Sequence, residues 1–279
     1  KSYDPSLLVA IPRAENRQKY NIDSAKLPFM GFDIWHCYEF SAMTENNLPV
    51  TKVLKLKYCS DSPNIVESKS LKLYLNSFNM SCFGQTRSEC LEICKNLIKN
   101  DLSQKLETSV EIEFLDDDSD SVEIFKNFQN IMEFVDEKSL KISEFKESPQ
   151  LLKTTRQEKE QEHYLKFDSL RSNCRVTHQP DFGELFIYYK SKKVFNCESL
   201  VKYLVSFRCE YHFHEECCEM IFKRLYDLLD EEDSLFVGAL YTRRGGIDIT
   251  PIRYGKNCRI NDIDKIFDLN TFARCGIKQ

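Results

Sequence analysis

The chain has 279 residues, of which 42% are hydrophobic and 30% charged, and its formal net charge is -5. This composition is typical of a globular protein, and the length suits two ordinary domains or one large one. The negative charge argues against a surface dedicated to nucleic acid, and no apolar run approaches the ~20 residues that span a bilayer. The start of the sequence lacks the apolar core of a signal peptide. We therefore expect a cytoplasmic protein without membrane or nucleic-acid partners, with its 12 cysteines reduced.

Alternation of apolar and polar residues predicts the strands of the first half, at 32–40, 50–59 and 108–115. In the first strand, one face collects Phe32, Ile34, His36, Tyr38 and Phe40, and the other collects Trp35, Cys37 and Glu39. An acidic turn at 116–120 follows the third strand. It lacks the glycine and the final glutamate of a calcium-binding loop, so we interpret it as a solvated turn.

Two helices are predicted between the second and the third strand. Ser68 can cap the first helix, and Thr86 can cap the second, which extends to residue 102. Their apolar stripes are Leu71, Leu75 and Phe78 in the first helix, and Cys90, Leu91, Cys94, Leu97 and Ile98 in the second. The three- to four-residue spacing predicts that each helix buries one face.

The second half repeats this order of elements after a polar, charged stretch at 143–163, which we interpret as a connection. The predicted elements are strands at 170–177 and 184–190, helices at 198–207 and 214–229, and strands at 235–242 and 247–254. This order predicts an α+β duplication, in which each unit is an antiparallel sheet backed by a pair of helices. We expect an N-terminal unit at 1–145 and a C-terminal unit at 146–279.

Cys174 stands seven residues ahead of Asp181, which directly follows Pro180. A cysteine is a strong nucleophile once it is a thiolate, and a nearby carboxyl group can deliver or accept a proton. The segment alone is explained better by a strand that ends in a turn, with Cys174 as a small buried hydrophobic residue. Other segments must therefore supply the rest of a thiol-based site.

Two further segments suit an anionic or heterocyclic ligand. Glu67, Ser68 and Lys69 stand at a predicted helix start, where amides and a lysine can bind phosphate and a carboxylate can accept hydrogen bonds from a ring edge. The alternative is an ordinary capped helix. Arg244 and Gly245 belong to an Arg-Arg-Gly-Gly turn that can clamp phosphate, and the alternative there is a hairpin with solvated arginines.

A fourth segment, at 207–218, is rich in histidine and cysteine. His212, His214, Cys217 and Cys218 are zinc ligands by residue type, but their spacing is crowded and no second cysteine pair is suitably placed. His214 beside Glu215 at a helix start fits a ligand-binding pair better. We therefore expect no metal site.

Together these segments resemble the QueF family of NADPH-dependent 7-cyano-7-deazaguanine reductases in its long, two-domain form. The motifs that carry the resemblance are Tyr3-Asp-Pro-Ser-Leu-Leu, Gly31-Phe-Asp-Ile-Trp, Glu67-Ser-Lys-Ser-Leu-Lys-Leu-Tyr, Ser172-Asn-Cys with Thr177-His-Gln-Pro-Asp, and Tyr241-Thr-Arg-Arg-Gly-Gly-Ile-Asp-Ile. The resemblance implies tandem tunnelling-fold (T-fold) units like those of GTP cyclohydrolase I. It also implies a cytosolic, homodimeric enzyme of queuosine biosynthesis that reduces a nitrile to an amine with two NADPH.

The resemblance also implies roles for individual residues. Cys174 would form a covalent thioimidate with the nitrile, and Asp181 would donate the proton. The deazaguanine would be held by Val66, Glu67, Ser68, His214 and Glu215, and NADPH would be contacted by Ser68, Lys69, Arg244 and Gly245. Phe182 stands where some relatives carry tryptophan. This difference in side-chain size concerns the packing around the site rather than its chemistry.

Three other functions remain as alternatives. A cysteine-dependent nitrile hydrolase would attack the same carbon but would not need the Arg-Arg-Gly-Gly turn. A zinc cyclohydrolase of the same fold would need a bound metal. A purine- or pteridine-binding module without catalysis would not need Cys174 and Asp181.

Overall fold

The computed structural model describes residues 2–116, 119, 121–258, 260 and 263–274. Three residues of the acidic turn predicted at 116–120, Asp117, Asp118 and Asp120, therefore lie outside the described residues. Among the helices that are described, none is both long and apolar enough to cross a membrane.

The strands and helices follow one another along the chain with short connections. The strands are β1 (Ala10–Pro12), β2 (Met30–Met43), β3 (Pro49–Cys59), β4 (Asn64–Val66), β5 (Val110–Leu115), β6 (Ser121–Glu123), β7 (Gln129–Asn130), β8 (Thr154–Cys174), β9 (Pro180–Phe195), β10 (Tyr211–His212), β11 (Ser234–Tyr241), β12 (Ile247–Tyr254) and β13 (Phe272–Arg274). The helices are α1 (Ala14–Lys19), α2 (Ser68–Asn76), α3 (Arg87–Leu106), α4 (Cys197–Val205), α5 (His214–Tyr226) and α6 (Ile263–Phe267).

A nine-stranded sheet runs through both halves in the order β10-β8-β9-β11-β12-β2-β3-β5, with β7 added beside β8. The halves meet where β12 pairs antiparallel with β2, in a register that places Asp248 opposite His36 and Ile249 opposite Trp35. The two short strands β7 and β10 run parallel to β8. The remaining neighbours in this sheet are antiparallel, and hairpins connect three of these six pairs, β2–β3, β8–β9 and β11–β12.

The long helices cover one face of this sheet. Ile187 of β9 points to the face on which α4 and α5 pack, and the same face of β2 and β3 carries α2 and α3. Phe186, the neighbour of Ile187, points to the opposite face and contacts Phe125. This alternation is expected of strands whose two faces are both covered. The arrangement confirms the predicted α+β class of antiparallel sheets backed by helix pairs.

The prediction of an irregular connection at 143–163 is wrong from residue 154 onward. Residues 154–163 form the first half of β8. Residues 154–156 pair with β9 from Thr154 opposite Phe195, and residues 161–163 pair with it up to His163 opposite Tyr189, with an irregularity in the register between Arg156 and Gln161. The side chains at 155–162 are exposed. Both faces of this ribbon are solvated, so its strand has the charged composition of a loop.

The predicted face of Phe40 is also wrong. A β-bulge lies between Cys37 and Phe40, because Cys37 pairs with Leu54 whereas Phe40 pairs with Lys52. One extra residue on β2 reverses the alternation beyond that point. Phe40 consequently packs with Cys37 in the core under α2 and α3.

Candidate active site

A cavity lies where the start of α2, the start of α5 and the turn between β8 and β9 meet the central strands of the sheet. It encloses about 300 Å³ of space between atoms, including the part that is open to solvent. Its walls are Trp35, Val66, Ser68, Cys174, Asp181, His212, Phe213, His214, Glu215, Arg244 and Ile249. Seven of these were predicted as site residues: Val66, Ser68, Cys174, Asp181, His214, Glu215 and Arg244. Glu67, Lys69 and Gly245 do not line this cavity.

Cys174 is the last residue of β8, and a tight turn at 175–178 follows it. The turn is closed by two hydrogen bonds, from the Cys174 amide to the Gln179 carbonyl at 2.8 Å and from the His178 amide to the Cys174 carbonyl at 2.9 Å. It reverses the chain at His178, whose φ of 59° is left-handed. The predicted strand at 170–177 therefore ends three residues early. Cys174, at the end of this strand, lines the cavity.

The turn also lowers the pKa of the Cys174 thiol. Burial raises this pKa, but hydrogen bonds from the Thr177 hydroxyl and from the backbone amides of Thr177 and Val176 outweigh burial and the nearby Asp181 charge. Apart from its effect on this pKa, the Thr177 hydroxyl has no hydrogen-bond partner among the described residues. A thiol in this setting is a thiolate at lower pH than an ordinary cysteine, which makes it a nucleophile.

We expect Thr177→Val to make Cys174 less reactive. Valine keeps the shape of threonine but donates no hydrogen bond to sulfur, so the pKa of the thiol rises. Alkylation of Cys174 by iodoacetamide at neutral pH should slow severalfold, and the midpoint of its pH profile should move upward. Thr177→Ser, which keeps the hydroxyl, should restore the wild-type profile. An unchanged profile in the valine variant would contradict this role of Thr177.

Asp181 faces the cavity from the start of β9 and has two cationic or protonatable neighbours. Arg244 Nη1 lies 2.6 Å from Asp181 Oδ1, and His214 Nε2 lies 3.3 Å from Asp181 Oδ2. The His214 ring stacks on Tyr241 at 3.7 Å with an angle of 7° between the planes. These contacts fix the Asp181 carboxyl group beside Cys174, where it can exchange a proton with a bound molecule.

Glu67, rather than Ser68, caps helix α2. Its Oε1 accepts a hydrogen bond from the Lys69 amide at 3.1 Å, and its Oε2 accepts one from the Ser70 amide at 2.7 Å. The prediction that Ser68 is the cap is therefore wrong. A carboxylate can accept hydrogen bonds from two helix-start amides at once. Its negative charge also interacts favourably with the positive end of the helix dipole. Ser68 becomes the first helical residue and lines the cavity.

Glu215 enters the cavity from the first turn of α5. Its residue is only 3% exposed, and its Oε1 has no hydrogen-bond partner. Burial, with a contribution from the Asp33 charge, raises the pKa of this carboxyl to about 8. A carboxyl that is buried, unpaired and shifted in this way is typical of a ligand-binding site.

We expect Glu215→Gln to stabilise the ligand-free protein. The folded carboxyl holds its proton up to about pH 8, whereas its ordinary pKa is 4.5. The group therefore destabilises the fold progressively as pH rises from 4.5 to about 8. The gain in melting temperature from Glu215→Gln should be small at pH 5 and larger at pH 8. A gain that does not change with pH would contradict the raised pKa.

Helix α5 is anchored by a buried ionic network beneath the cavity. Arg17 donates to Glu219 Oε2 from Nε at 2.9 Å and to Oε1 from Nη2 at 2.7 Å, and Arg253 Nη2 donates to Glu219 Oε1 at 2.9 Å. Arg13 and Arg253 both contact Asp33, at 2.5 and 2.8 Å. Burial raises the pKa of Glu219, but the arginines outweigh it and hold that pKa at about 2. The network ties the start of the chain to the helix that carries His214 and Glu215.

The Arg-Arg-Gly-Gly turn lies at the edge of the cavity and adopts left-handed backbone angles. The φ angles are 60° at Gly245 and 79° at Gly246. A Cβ on Gly246 would lie 2.3 Å from the Glu39 carboxyl carbon, and a Cβ on Gly245 would lie 3.0 Å from Lys72 Nζ. The left-handed φ angles therefore favour glycine at both positions, whereas the Lys72 and Glu39 side chains are flexible at the ends that a Cβ would approach. The turn places Gly245 and Gly246 beside Lys72, and all three line a small neighbouring pocket.

Comparison with known proteins identifies the family. Residues 1–114 match the family model described as nitrile reductase, 7-cyano-7-deazaguanine-reductase N-term, and residues 180–258 match the model of QueF-like proteins. The NADPH-dependent 7-cyano-7-deazaguanine reductase of Colwellia psychrerythraea is 38% identical over 256 residues, which cover 90% of this chain and 86% of the relative. The enzyme of the same name from Legionella pneumophila strain Paris is 40% identical over 257 residues, covering 92% and 86%. The chain belongs to this family of reductases.

Membership of the reductase family confirms the resemblance carried by the sequence motifs. Four wall residues of the cavity were nevertheless missed: Trp35, His212, Phe213 and Ile249. Phe213 and His212 immediately precede His214, so their place beside it could have been inferred. Trp35 and Ile249 face each other across the β2–β12 pair, and only the sheet register brings them together.

His212 was considered as a zinc ligand in the sequence. Its Nε2 lies 3.2 Å from Glu210 Oε2, and its Nδ1 lies 3.5 Å from Glu216 Oε2. Glu216 in turn accepts a hydrogen bond from Arg175 at 3.0 Å. In the described part of the chain, no group of three or more His, Cys, Asp or Glu side chains is arranged to hold a metal ion.

Proposed function

We propose that the protein reduces the nitrile of 7-cyano-7-deazaguanine to the primary amine with two NADPH, as a step of queuosine biosynthesis, through a covalent thioimidate on Cys174. One observation carries the proposal. A single cavity brings together a buried thiol of lowered pKa, the Asp181 carboxyl, and the His214–Glu215 pair on α5. The names of the relatives supply the substrate and the cofactor.

In the first chemical step the Cys174 thiolate adds to the nitrile carbon. One π bond of the nitrile breaks, and the nitrogen takes a proton from Asp181, which gives a thioimidate. A nitrile is a poor hydride acceptor and a thioimidate is a better one, so covalent attachment divides a difficult reduction into easier steps. His214, at 3.3 Å from Asp181, is placed to return a proton to that carboxyl.

Polar groups around the cavity would bind the planar substrate. We assign this role to Val66, Glu67, Ser68, His214 and Glu215. The buried Oε1 of Glu215 has no partner, so it can pair with a ring N–H or an amino group without breaking an existing contact. Cys174 is only 7% exposed, and this burial limits access of water, which would hydrolyse an imine.

The edge of the cavity fits the phosphate groups of NADPH, which supplies hydride when it is bound. We assign the contacts to Ser68, Lys69, Arg244 and Gly245. Gly245 carries no Cβ where the backbone comes close to neighbouring groups, and the guanidinium of Arg244 is 41% exposed. Arg244 contacts Asp181 in the ligand-free protein, so phosphate binding would draw it away from that carboxylate.

We further propose that the enzyme is a cytoplasmic homodimer without a nucleic-acid partner, with units at 1–145 and 146–279. The cysteines of the described residues are all free thiols, which is compatible with a reducing compartment. The order of two strands, two helices and two strands at 154–254 supports the C-terminal unit.

Product analysis tests the proposed function. Incubation with 7-cyano-7-deazaguanine and NADPH should consume two NADPH for each nitrile and give the aminomethyl product by mass spectrometry. A carboxamide or acid formed without loss of NADPH would instead establish a nitrile hydrolase. Binding of the substrate without any product would establish a binding module.

A further inference from the structure

Three residues that line the cavity each carry a buried polar atom without a hydrogen-bond partner in the described part of the chain: Trp35 Nε1, His214 Nδ1 and Glu215 Oε1. A buried polar group without a partner destabilises a protein, and native proteins contain few of them. Three such atoms in one cavity indicate that a bound molecule supplies the missing partners. His214 and Glu215 already have assigned roles in binding, whereas Trp35 has none.

Trp35 lies in the floor of the cavity, where β2 passes beneath the starts of α2 and α5. Its side chain is 1% exposed and packs in the same core as Val66 and Ile249, which also line the cavity. Its indole nitrogen can only donate a hydrogen bond. The group that completes it must therefore be an acceptor on the bound molecule.

We propose that the Trp35 indole N–H donates a hydrogen bond to the ring carbonyl oxygen of the bound base, which makes Trp35 a residue that selects a 6-oxo base. This inference rests on the proposed function. The deazaguanine ring carries N–H and amino donors, whose hydrogen bonds Glu215 Oε1 can accept. Its carbonyl oxygen is an acceptor and requires a donor. A buried N–H without a partner meets that requirement.

The donor-only chemistry of Trp35 gives selectivity against amino-substituted bases. A base with an amino group in place of the carbonyl would bring two donors together and leave both unpaired in a buried site. Loss of the carbonyl would leave the indole N–H unpaired, as it is in the ligand-free protein. The expected effect of losing this hydrogen bond is about tenfold in affinity.

The chain contains one tryptophan, so Trp35 can be observed alone. Protein with ¹⁵N-labelled tryptophan should give one indole N–H resonance. With the Cys174→Ala variant, which prevents covalent attachment, added 7-cyano-7-deazaguanine should move this resonance downfield and slow its exchange with solvent. The analogue that lacks the 6-oxo group should bind without the downfield shift. A resonance that stays in place when the substrate binds, or that moves equally with the analogue, would overturn the proposal.

Trp35→Phe provides an independent measurement in a protein that keeps an aromatic ring. Titration calorimetry should show about tenfold weaker binding of the substrate and unchanged binding of the analogue. Equal losses for both ligands would mean that Trp35 acts only by packing, and would overturn the proposal. If the wild-type protein binds neither ligand, the proposed function itself fails, and the inference fails with it.

Discussion

Turnover falls by on the order of 10⁴-fold or more when Cys174 is replaced by alanine, because the nitrile then loses its covalent activation. The substitution removes one buried sulfur from the end of β8 and leaves the hydrogen bonds of the 175–178 turn, which are made by the backbone. The substrate should therefore still bind. Initial rates of NADPH oxidation at saturating substrate, together with a binding titration, separate the two effects.

Cys209→Ala is the matched control. Cys209 is an exposed free cysteine and does not line the cavity, so its loss should leave turnover near the wild-type rate. Turnover of Cys174→Ala within tenfold of the wild type would contradict a covalent mechanism through this residue. Equal losses in the two variants would point to a general effect of removing a thiol.

Glu219→Gln destabilises the protein by about 3–5 kcal/mol, because it removes one partner of a buried ionic network. Glutamine keeps the shape but not the charge. Arg13 and Arg253 would then have Asp33 as their remaining acidic partner, and Arg17, which donates also to the Ser60 carbonyl, would lose its ion pair with Glu219. We expect the melting temperature to fall on the order of 10 °C. Urea and thermal unfolding at neutral pH measure this loss.

The pH dependence of stability identifies Glu219 as the cause. Its folded pKa is about 2 and its ordinary value is 4.5, so its contribution is fully present above pH 4.5 and is lost as pH falls toward 2. The difference in stability between the wild type and Glu219→Gln should therefore shrink over this acidic range. A constant difference would contradict the assignment.

Glu198→Gln serves as the control for a surface charge. Glu198 pairs with Lys202 at 2.6 Å on the outside of α4, and its side chain is 46% exposed. Its loss should cost less than about 0.5 kcal/mol. Similar losses for the two glutamate variants would show that the buried network contributes no more than an exposed pair.

The segments that we propose to be catalytic were readable from the sequence because each is local. Cys174 and Asp181 are joined by one turn, and His214 and Glu215 are neighbours at a helix start. Their convergence in one cavity was not readable from periodicity, since it depends on how strands and helices from both halves pack. The resemblance to a family, rather than the pattern, placed them together. Lys69, assigned to NADPH in the same way, lies outside the cavity walls.

The errors in the predicted fold have physical causes. The charged half of β8 has no buried face, so its pairing with β9 leaves no apolar alternation to detect. The bulge between Cys37 and Phe40 changes which face of the sheet the following side chains point to, and nothing in the residue types marks its position. Serine is a more common helix cap than glutamate, which is why Ser68 was predicted. In the structure the adjacent Glu67 carboxylate instead accepts hydrogen bonds from two helix-start amides.

The buried network and the tryptophan in the cavity floor could not be predicted for a different reason. Arg13 and Glu219 are 206 positions apart, and neither was predicted to belong to a site. Trp35 was predicted correctly on a strand, on the face opposite Ile34. That Trp35 lines the cavity follows only from the pairing of β2 with β12 and from the positions of the helix starts.

The covalent intermediate is the central claim, and intact mass spectrometry tests it most directly. Wild-type protein mixed with 7-cyano-7-deazaguanine without NADPH should gain the mass of one substrate, and peptide mapping should place it on Cys174. The gain should be absent in Cys174→Ala, and added NADPH should remove it with release of the amine. Reduced, folded protein that binds the substrate without any gain in mass, or an adduct on another cysteine, would contradict the account.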